Sequence, residues 1–262
     1  MTILNKIIED KQEEVAHARE RVPLERLQAH LATTPWSPRG FYRRLAAPGP
    51  AGVNIIAEVK RASPSKGLIC EDLRAGDCAL EYERGGGAAV SVLTDGPYFK
   101  GSLADLRQVR RVTGLPVLRK EFIISAYQVF ESRAAGADAI LLIARILAPN
   151  HLADLLALTR ELEMDALVEI HSEEDYAAAH NAKAGLIGIN NRNLATFDTD
   201  IRTAVHLKGL LQAGEIPVAA SGISGRADIE SNLRSGIFNF LIGESLVRAR
   251  DRAAMLKSLL AG

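Results

Sequence analysis

The sequence predicts an α/β fold, a (β/α)8 TIM barrel with an N-terminal helical extension. Three observations point there. Short apolar, β-branched runs bounded by turn residues recur eight times and read as strands buried on both faces. Each run is followed by a stretch with helical periodicity, an alternation that gives a parallel sheet with short connections. The repeats fill the ~220 residues after the extension, a normal length for a barrel closed by eight strands. An open, doubly wound sheet is the structural alternative, but no dinucleotide glycine fingerprint follows the first strand. Residues 1–262 therefore read as one barrel domain, with 1–45 as the extension.

In residues 2–21, Ile3, Leu4, Ile7, Ile8 and Val15 alternate with charges at helical spacing, and Thr2 is placed to cap the helix. Val22-Pro23 interrupts it, and Pro23 opens a second helix through Leu24, Leu27 and Leu31. A break from Pro35 to Gly40 and the segment Phe41–Leu45 follow, and Pro48–Gly52 leads into strand one, Val53 to Lys60. A helix from about Asp72 to Arg84 ends at the glycines 85–87, which suit a C-cap. Strand two is Ala88–Leu93, followed by a loop over 94–101 and a helix from Ser102 to Val112. Strand three is Pro116–Lys120, its helix Ala126–Ala135; strand four is Ala137–Ala144, its helix within Pro149–Glu163. Strand five is Ala166–Ile170, its helix Glu173–Ala182; strand six is Leu186–Asn190, with a loop and helix reaching residue 212. Strand seven is Ile216–Ser221, its helix Gly225–Arg234; strand eight is Ile237–Ile242, and one last helix covers Ser245–Leu260.

Composition narrows the function. Lys+Arg and Asp+Glu are equal at 32 each, which argues against nucleic acid or an anionic membrane as partner. A hydrophobic content of 47% supports a substantial core. Cys70 and Cys78 form neither a metal knuckle nor a disulfide framework, and the six histidines lack ligand spacing. The charged, helical start is unlike a signal peptide, and no apolar run reaches membrane-spanning length. The expected setting is cytoplasmic.

Chemistry concentrates at strand ends. Side chains alternate along a strand, so Glu58 and Lys60 share one face while Ala57 and Val59 share the other. An acid and a base at the end of a buried strand are costly unless paired or facing a wet cavity. Lys120, Glu169 and Asn190 repeat the design at the C-terminal ends of their strands, where barrels of this kind carry their sites. Parity puts Lys120 with Leu118, Glu169 with Leu167 and Asn190 with Gly188, all inward. Arg119 and Glu121 are expected to point outward, and His171 to be an ordinary loop residue. Ser221-Gly222 and Gly243-Glu244-Ser245 follow strands seven and eight, the recurrent phosphate position, with a helix beginning near Ser245. With Lys60 and Ser63 facing the same mouth, a small phosphorylated substrate is expected.

The segments IAEVKRASPSKG, SVLTD…YFKGS, LPVLRKEFI, ALVEIH, IGINNRNL, SGIS and FLIGESL resemble, in order from residue 3 to 260, indole-3-glycerol-phosphate synthases of tryptophan biosynthesis. The resemblance implies a carboxy-lyase that converts 1-(o-carboxyphenylamino)-1-deoxyribulose 5-phosphate to indole-3-glycerol phosphate, releasing CO2 and water without cofactor or metal. By that resemblance Lys120 is the general acid, and Lys60 holds the substrate carboxylate and acts as a second acid in dehydration. Glu169 is the catalytic carboxylate beside Lys120. Glu58 and Asn190 bind the anilino nitrogen and ribulose hydroxyls, with Glu58 as a candidate base. Ser63, with the backbone of Ser221, Gly222, Gly243 and Glu244, binds substrate oxygens and phosphate. Phe99, Phe122, Leu142 and Leu194 sandwich the aromatic ring, and Arg192 supports Asn190. An acid working near neutral pH is expected to have its lysine pKa lowered by burial or by cations, with Glu169 opposing. The partner expectation is a monomer that associates weakly with other tryptophan-pathway enzymes.

One departure stands out. The family pattern after strand seven is Glu-Ser-Gly, and this chain has Ala220-Ser221-Gly222. Reduced but not abolished turnover is expected from it, and an impaired or silent phosphate-binding barrel is the alternative. A sugar-phosphate isomerase on the same barrel, such as a phosphoribosylanthranilate isomerase, is the other alternative, but it lacks the Glu58/Lys60 strand with its Ser-Pro-Ser loop.

Overall fold

The structure, a computed structural model, describes residues 3–35, 37–192 and 198–261. Among these, eight parallel strands form a closed barrel: β1 Asn54–Val59, β2 Ala89–Leu93, β3 Val117–Lys120, β4 Ala139–Ile143, β5 Asp165–Ile170, β6 Leu186–Asn190, β7 Ile216–Ala220 and β8 Asn239–Ile242. Neighbours in sequence are neighbours in the sheet, and β1 closes the ring by pairing with both β2 and β8. Helices α1 Ile3–Arg21, α2 Leu24–Thr33 and α3 Phe41–Leu45 precede β1. The outer layer is α4 Ala75–Arg84, α5 Leu103–Val112, α6 Ala126–Ala135, α7 Pro149–Glu161, α8 Glu173–Asn181, α9 Arg202–Lys208, α10 Arg226–Leu233, α11 Glu244–Arg248 and α12 Arg252–Leu260.

The strands read as unbroken apolar runs because both of their faces are covered. Ile56, Leu118, Leu141, Leu167, Val218 and Leu241 fill the barrel interior, and Phe41 and Leu45 of α3 plug its N-terminal end. The alternate residues, among them Ile55, Val90, Val117, Ile140, Leu142 and Ile187, pack outward against Leu106, Val109, Leu152 and Leu155 of the helices. Serines cap several helices: Ser102, Ser125 and Ser172 each accept a hydrogen bond from a backbone N–H of the first turn.

Polar residues brace the plugged end. Asn54 Nδ2 donates to Asn239 Oδ1 at 2.9 Å and to Ala47 O at 2.8 Å, while Asn239 Nδ2 donates to Leu45 O and Pro217 O. Asp138 accepts from Arg110 Nη1 at 2.6 and 2.7 Å, and from the backbone N–H groups of Arg39 and Val117 at 2.8 Å.

Two expectations on elements are corrected. The last helix is two, because residues 249–251 leave the helix and Asp251 caps α12 by accepting from Ala254 N at 2.8 Å. The loop after β1 contains a small antiparallel ladder, Ala62–Ser63 against Gly67–Leu68, too short to show as a strand pattern. Thr2, the expected cap of α1, lies outside the described residues.

Candidate active site

The C-terminal ends of the strands open into a cavity of about 660 Å3. Interior parity brings the polar strand ends into it as expected: Glu58, Lys60, Lys120, Glu169 and Asn190 all line it. Two ion pairs dominate the mouth. Lys120 Nζ lies 2.9 Å from Glu169 Oε2, and Lys60 Nζ lies 2.8 Å from Glu58 Oε1. Asn190 Nδ2 donates to the other oxygen of Glu169 at 3.1 Å. Glu58, Lys120, Glu169 and Asn190 stand on β1, β3, β5 and β6, so their spacing is set by the rigid barrel.

Burial pulls the Lys120 ammonium pKa down, but Glu169, Glu58 and the hydrogen bond to Glu169 outweigh it and hold it above the ordinary lysine value. The expected lowering is therefore corrected: in this barrel an adjacent carboxylate, not a cation, dominates the lysine. Burial likewise pushes Glu169 up, but Lys120, His171 and the hydrogen bonds from Lys120 and Asn190 bring it down to about 2. At neutral pH the pair is an ammonium and a carboxylate.

The remaining predicted residues divide cleanly. Ser63, Phe99, Phe122, Arg192, Ser221, Gly222, Gly243 and Glu244 all line the cavity. The Phe99 and Phe122 rings lie 6.1 Å apart, tilted by 43°. Arg192 supports Asn190 through its backbone N–H, which donates to Asn190 Oδ1 at 3.0 Å, while its Nη1 donates to Ser65 Oγ at 3.2 Å. A Cβ at Gly243 would stand 2.6 Å from Glu58 Oε1, so only glycine lets the backbone pass this close to the site. Leu142 is a correction. It is fully buried in the outer layer, and its neighbours Leu141 and Ile143 face the cavity instead. The register sets this: Ile143 lies beside Glu169 and Leu141 beside Leu167, both inward, so Leu142 between them points out. Leu194 lies outside the described residues.

Other residues come to the mouth that the sequence reading placed elsewhere. Arg119 does turn outward, to Ser132 Oγ at 3.0 Å and Glu131 at 2.8 Å on α6. Glu121 does not: one residue beyond β3, it is no longer bound by strand alternation and lines the cavity. It meets Lys11 of α1 at 3.1 Å, and Lys11 also reaches Asp95 at 2.9 Å. That buried cluster ties α1 to the loops after β2 and β3, and Ile3, Leu4 and Ile7 of α1 form part of the rim. His171 is no ordinary loop residue either, since its ring is buried beside Glu169. Strand parity gives no signal for it, because it lies one residue beyond β5. Ala220 lines the cavity in register with Asn190 and Leu241, so the departure from the family pattern falls inside the mouth.

A solved tryptophan synthase alpha subunit from Legionella pneumophila superposes with a TM-score of 0.63, over 86% of this chain and 98% of its own, at 14% identity. That likeness shows the barrel alone. An indole-3-glycerol phosphate synthase from Desulfosudis oleivorans is 57% identical over 98% of each chain. Another from Syntrophobacter fumaroxidans is 48% identical over 98% of this chain and 96% of its own. These comparisons give no support to the impaired-barrel alternative. The family model described as indole-3-glycerol phosphate synthase matches residues 4–259, and the chain belongs to that family.

Proposed function

We propose that this chain catalyses the ring closure of 1-(o-carboxyphenylamino)-1-deoxyribulose 5-phosphate to indole-3-glycerol phosphate, with loss of CO2 and water. The observation that carries this reading is the Lys120–Glu169–Asn190 set facing the Lys60–Glu58 pair across one cavity. As the aromatic carbon attacks the substrate ketone, the ketone oxygen must take a proton. Lys120 supplies it as general acid, and Glu169 keeps that ammonium charged and aimed. Lys60 trades its Glu58 partner for the substrate carboxylate until that group leaves as CO2, and then protonates the departing hydroxyl as the second acid of the dehydration. Glu58, freed of Lys60, binds the anilino nitrogen and serves as base in the dehydration. Asn190 holds ribulose hydroxyls, with Arg192 supporting it.

The aromatic ring packs against Phe99 and Phe122 and against Leu141 and Ile143. Ser63 and the backbone of Ser221, Gly222, Gly243 and Glu244 take the phosphate end, where the chain runs close to the cavity without side chains in the way. Each step is proton transfer or positioning, and the residues at the mouth supply both. Substrate and product are phosphate esters that do not cross membranes, which supports a cytoplasmic setting. The enzyme is read as a monomeric single barrel, associating at most weakly with other tryptophan-pathway enzymes.

The test is indole fluorescence on mixing purified protein with the carboxyphenylamino-deoxyribulose phosphate. A signal that disappears in Lys120→Ala is the expected result. Tight substrate binding with no turnover in the unmodified protein would sink the reading.

A further inference from the structure

His171 follows β5 directly and stands behind Glu169, away from the cavity. Its side chain is 4% exposed, with Nε2 3.4 Å from Glu169 Oε1 and Nδ1 3.6 Å from Asp175 Oδ2. Both ring nitrogens are buried, and neither completes a hydrogen bond within the protein. A neutral imidazole always carries one N–H, so leaving it unsatisfied in the interior costs free energy. Such a group is kept where its proton has a use.

The neighbours of the ring form a continuous row. Lys120 Nζ of β3 meets Glu169 Oε2, and Glu169 Oε1 faces His171 Nε2. His171 Nδ1 faces Asp175 Oδ2 of α8, which also accepts from the His171 backbone N–H at 2.8 Å. Arg145, after β4, donates to the same Asp175 oxygen from Nε at 3.1 Å and Nη2 at 3.0 Å, and its side chain is 30% exposed. The row thus leads from the general acid, under the barrel rim, to the outer surface.

The reaction proposed above gives this row a task, and the inference rests on that reading. The substrate carboxylate leaves as neutral CO2, so each turnover takes up one proton to balance the lost negative charge. Lys120 gives its proton to an oxygen that departs as water, and it must be recharged before the next turnover. We propose that His171 is the relay through which that proton returns. One proton enters at Nδ1 from water on the Asp175 side, and one leaves Nε2 for Glu169 Oε1. The protonated carboxyl then turns to present that same proton to Lys120 Nζ, and Glu169 ends as the carboxylate it began. The ring is left as its other neutral tautomer and resets by exchange with solvent between turnovers. Histidine suits this position because one ring nitrogen can take a proton while the other gives one. It touches no substrate atom and acts through Glu169.

The test compares the unmodified enzyme with His171→Gln, which keeps the size and hydrogen bonding but offers no relay, and with His171→Ala, which leaves room for imidazole. Unmodified enzyme is assayed first, and its inactivity would overturn the assigned reaction rather than the relay. In His171→Gln, kcat is expected to fall roughly 10-fold with KM about unchanged, and the solvent deuterium isotope effect on kcat to rise. In His171→Ala, kcat is expected to climb with imidazole concentration at fixed pH and ionic strength, a response the unmodified enzyme lacks. If the alanine variant does not fold, the same imidazole titration is run on His171→Ser, which also leaves room for imidazole and where a rise again supports the relay. Unchanged kcat and isotope effect, or a loss that imidazole leaves unmoved, would overturn the proposal.

Discussion

The two ends of the barrel bury polar groups to opposite ends. At the floor, Asp138 receives two side-chain and two backbone hydrogen bonds, and Asn54 and Asn239 bond each other and three carbonyls. These partners are fixed parts of the fold, sealed beneath Phe41 and Leu45. At the mouth, Lys120 with Glu169 and Lys60 with Glu58 satisfy one another across an open cavity. A ligand can replace either partner there, and nothing can at the floor. Saturation by backbone therefore marks the end that holds the barrel closed, and exchangeable ion pairs mark the end that works.

Removing one group from each end tests the contrast. Lys120→Ala is expected to lower kcat by at least ~10²–10⁴-fold, the usual contribution of a positioned acid. Its loss of stability should be the smaller effect, because Asn190 still donates to Glu169. Unaltered kcat in steady-state assays would dispose of the acid role. Asp138→Ala should do the reverse. It removes the acceptor of Arg110 Nη1 and of two backbone N–H groups, and breaking such a buried network costs about 3–5 kcal/mol in denaturant titrations. The fraction that folds should keep its kcat, and a kcat loss comparable to that of Lys120→Ala would erase the distinction between the ends.

How much of this was legible in the sequence depended on strand alternation. Parity from Leu118, Leu167 and Gly188 placed Lys120, Glu169 and Asn190 inward, because the barrel interior repeats with the same period as the strand. The phase of β4 was not legible, since every residue from Ala139 to Ile143 is apolar and buried on one face or the other. Leu142 was therefore placed in the site when Leu141 and Ile143 belong there. Glu121 and His171 were missed for a related reason: each lies just past a strand end, where side-chain direction is set by tertiary contacts with Lys11 and Asp175. The β4 phase yields a paired prediction. Leu142→Ala should cost about 2–5 kcal/mol of stability with KM unchanged, whereas Ile143→Ala should raise KM through the lost ring contact. A raised KM in the Leu142 variant alone would put the facing back as the sequence suggested.

The smallest expected effect separates the two ends by the sign of a pH dependence. Glu169, at the mouth, is held down to about 2 from an ordinary 4.5, its cationic and hydrogen-bonding neighbours outweighing burial. The unfolded chain therefore takes up this proton first as pH falls. The stabilisation is whole above pH 4.5 and drains away toward pH 2, at most about 3 kcal/mol. Asp165, at the floor, has the opposite sign: burial, reinforced by Asp138, raises it above 3.8 despite hydrogen bonds from the Tyr42 and Phe41 backbone. The folded chain takes up that proton first, so the cost of burying the charge is relieved as pH falls through the raised value. Denaturation midpoints followed from pH 6 to 3 should fall for the unmodified protein. Glu169→Gln should flatten that fall, because the group that loses its stabilising charge is gone. Asp165→Asn should steepen it, because the group whose protonation offsets the loss is gone. Equal slopes in the two variants would mean that mouth and floor share one electrostatic character, whatever their hydrogen bonds suggest.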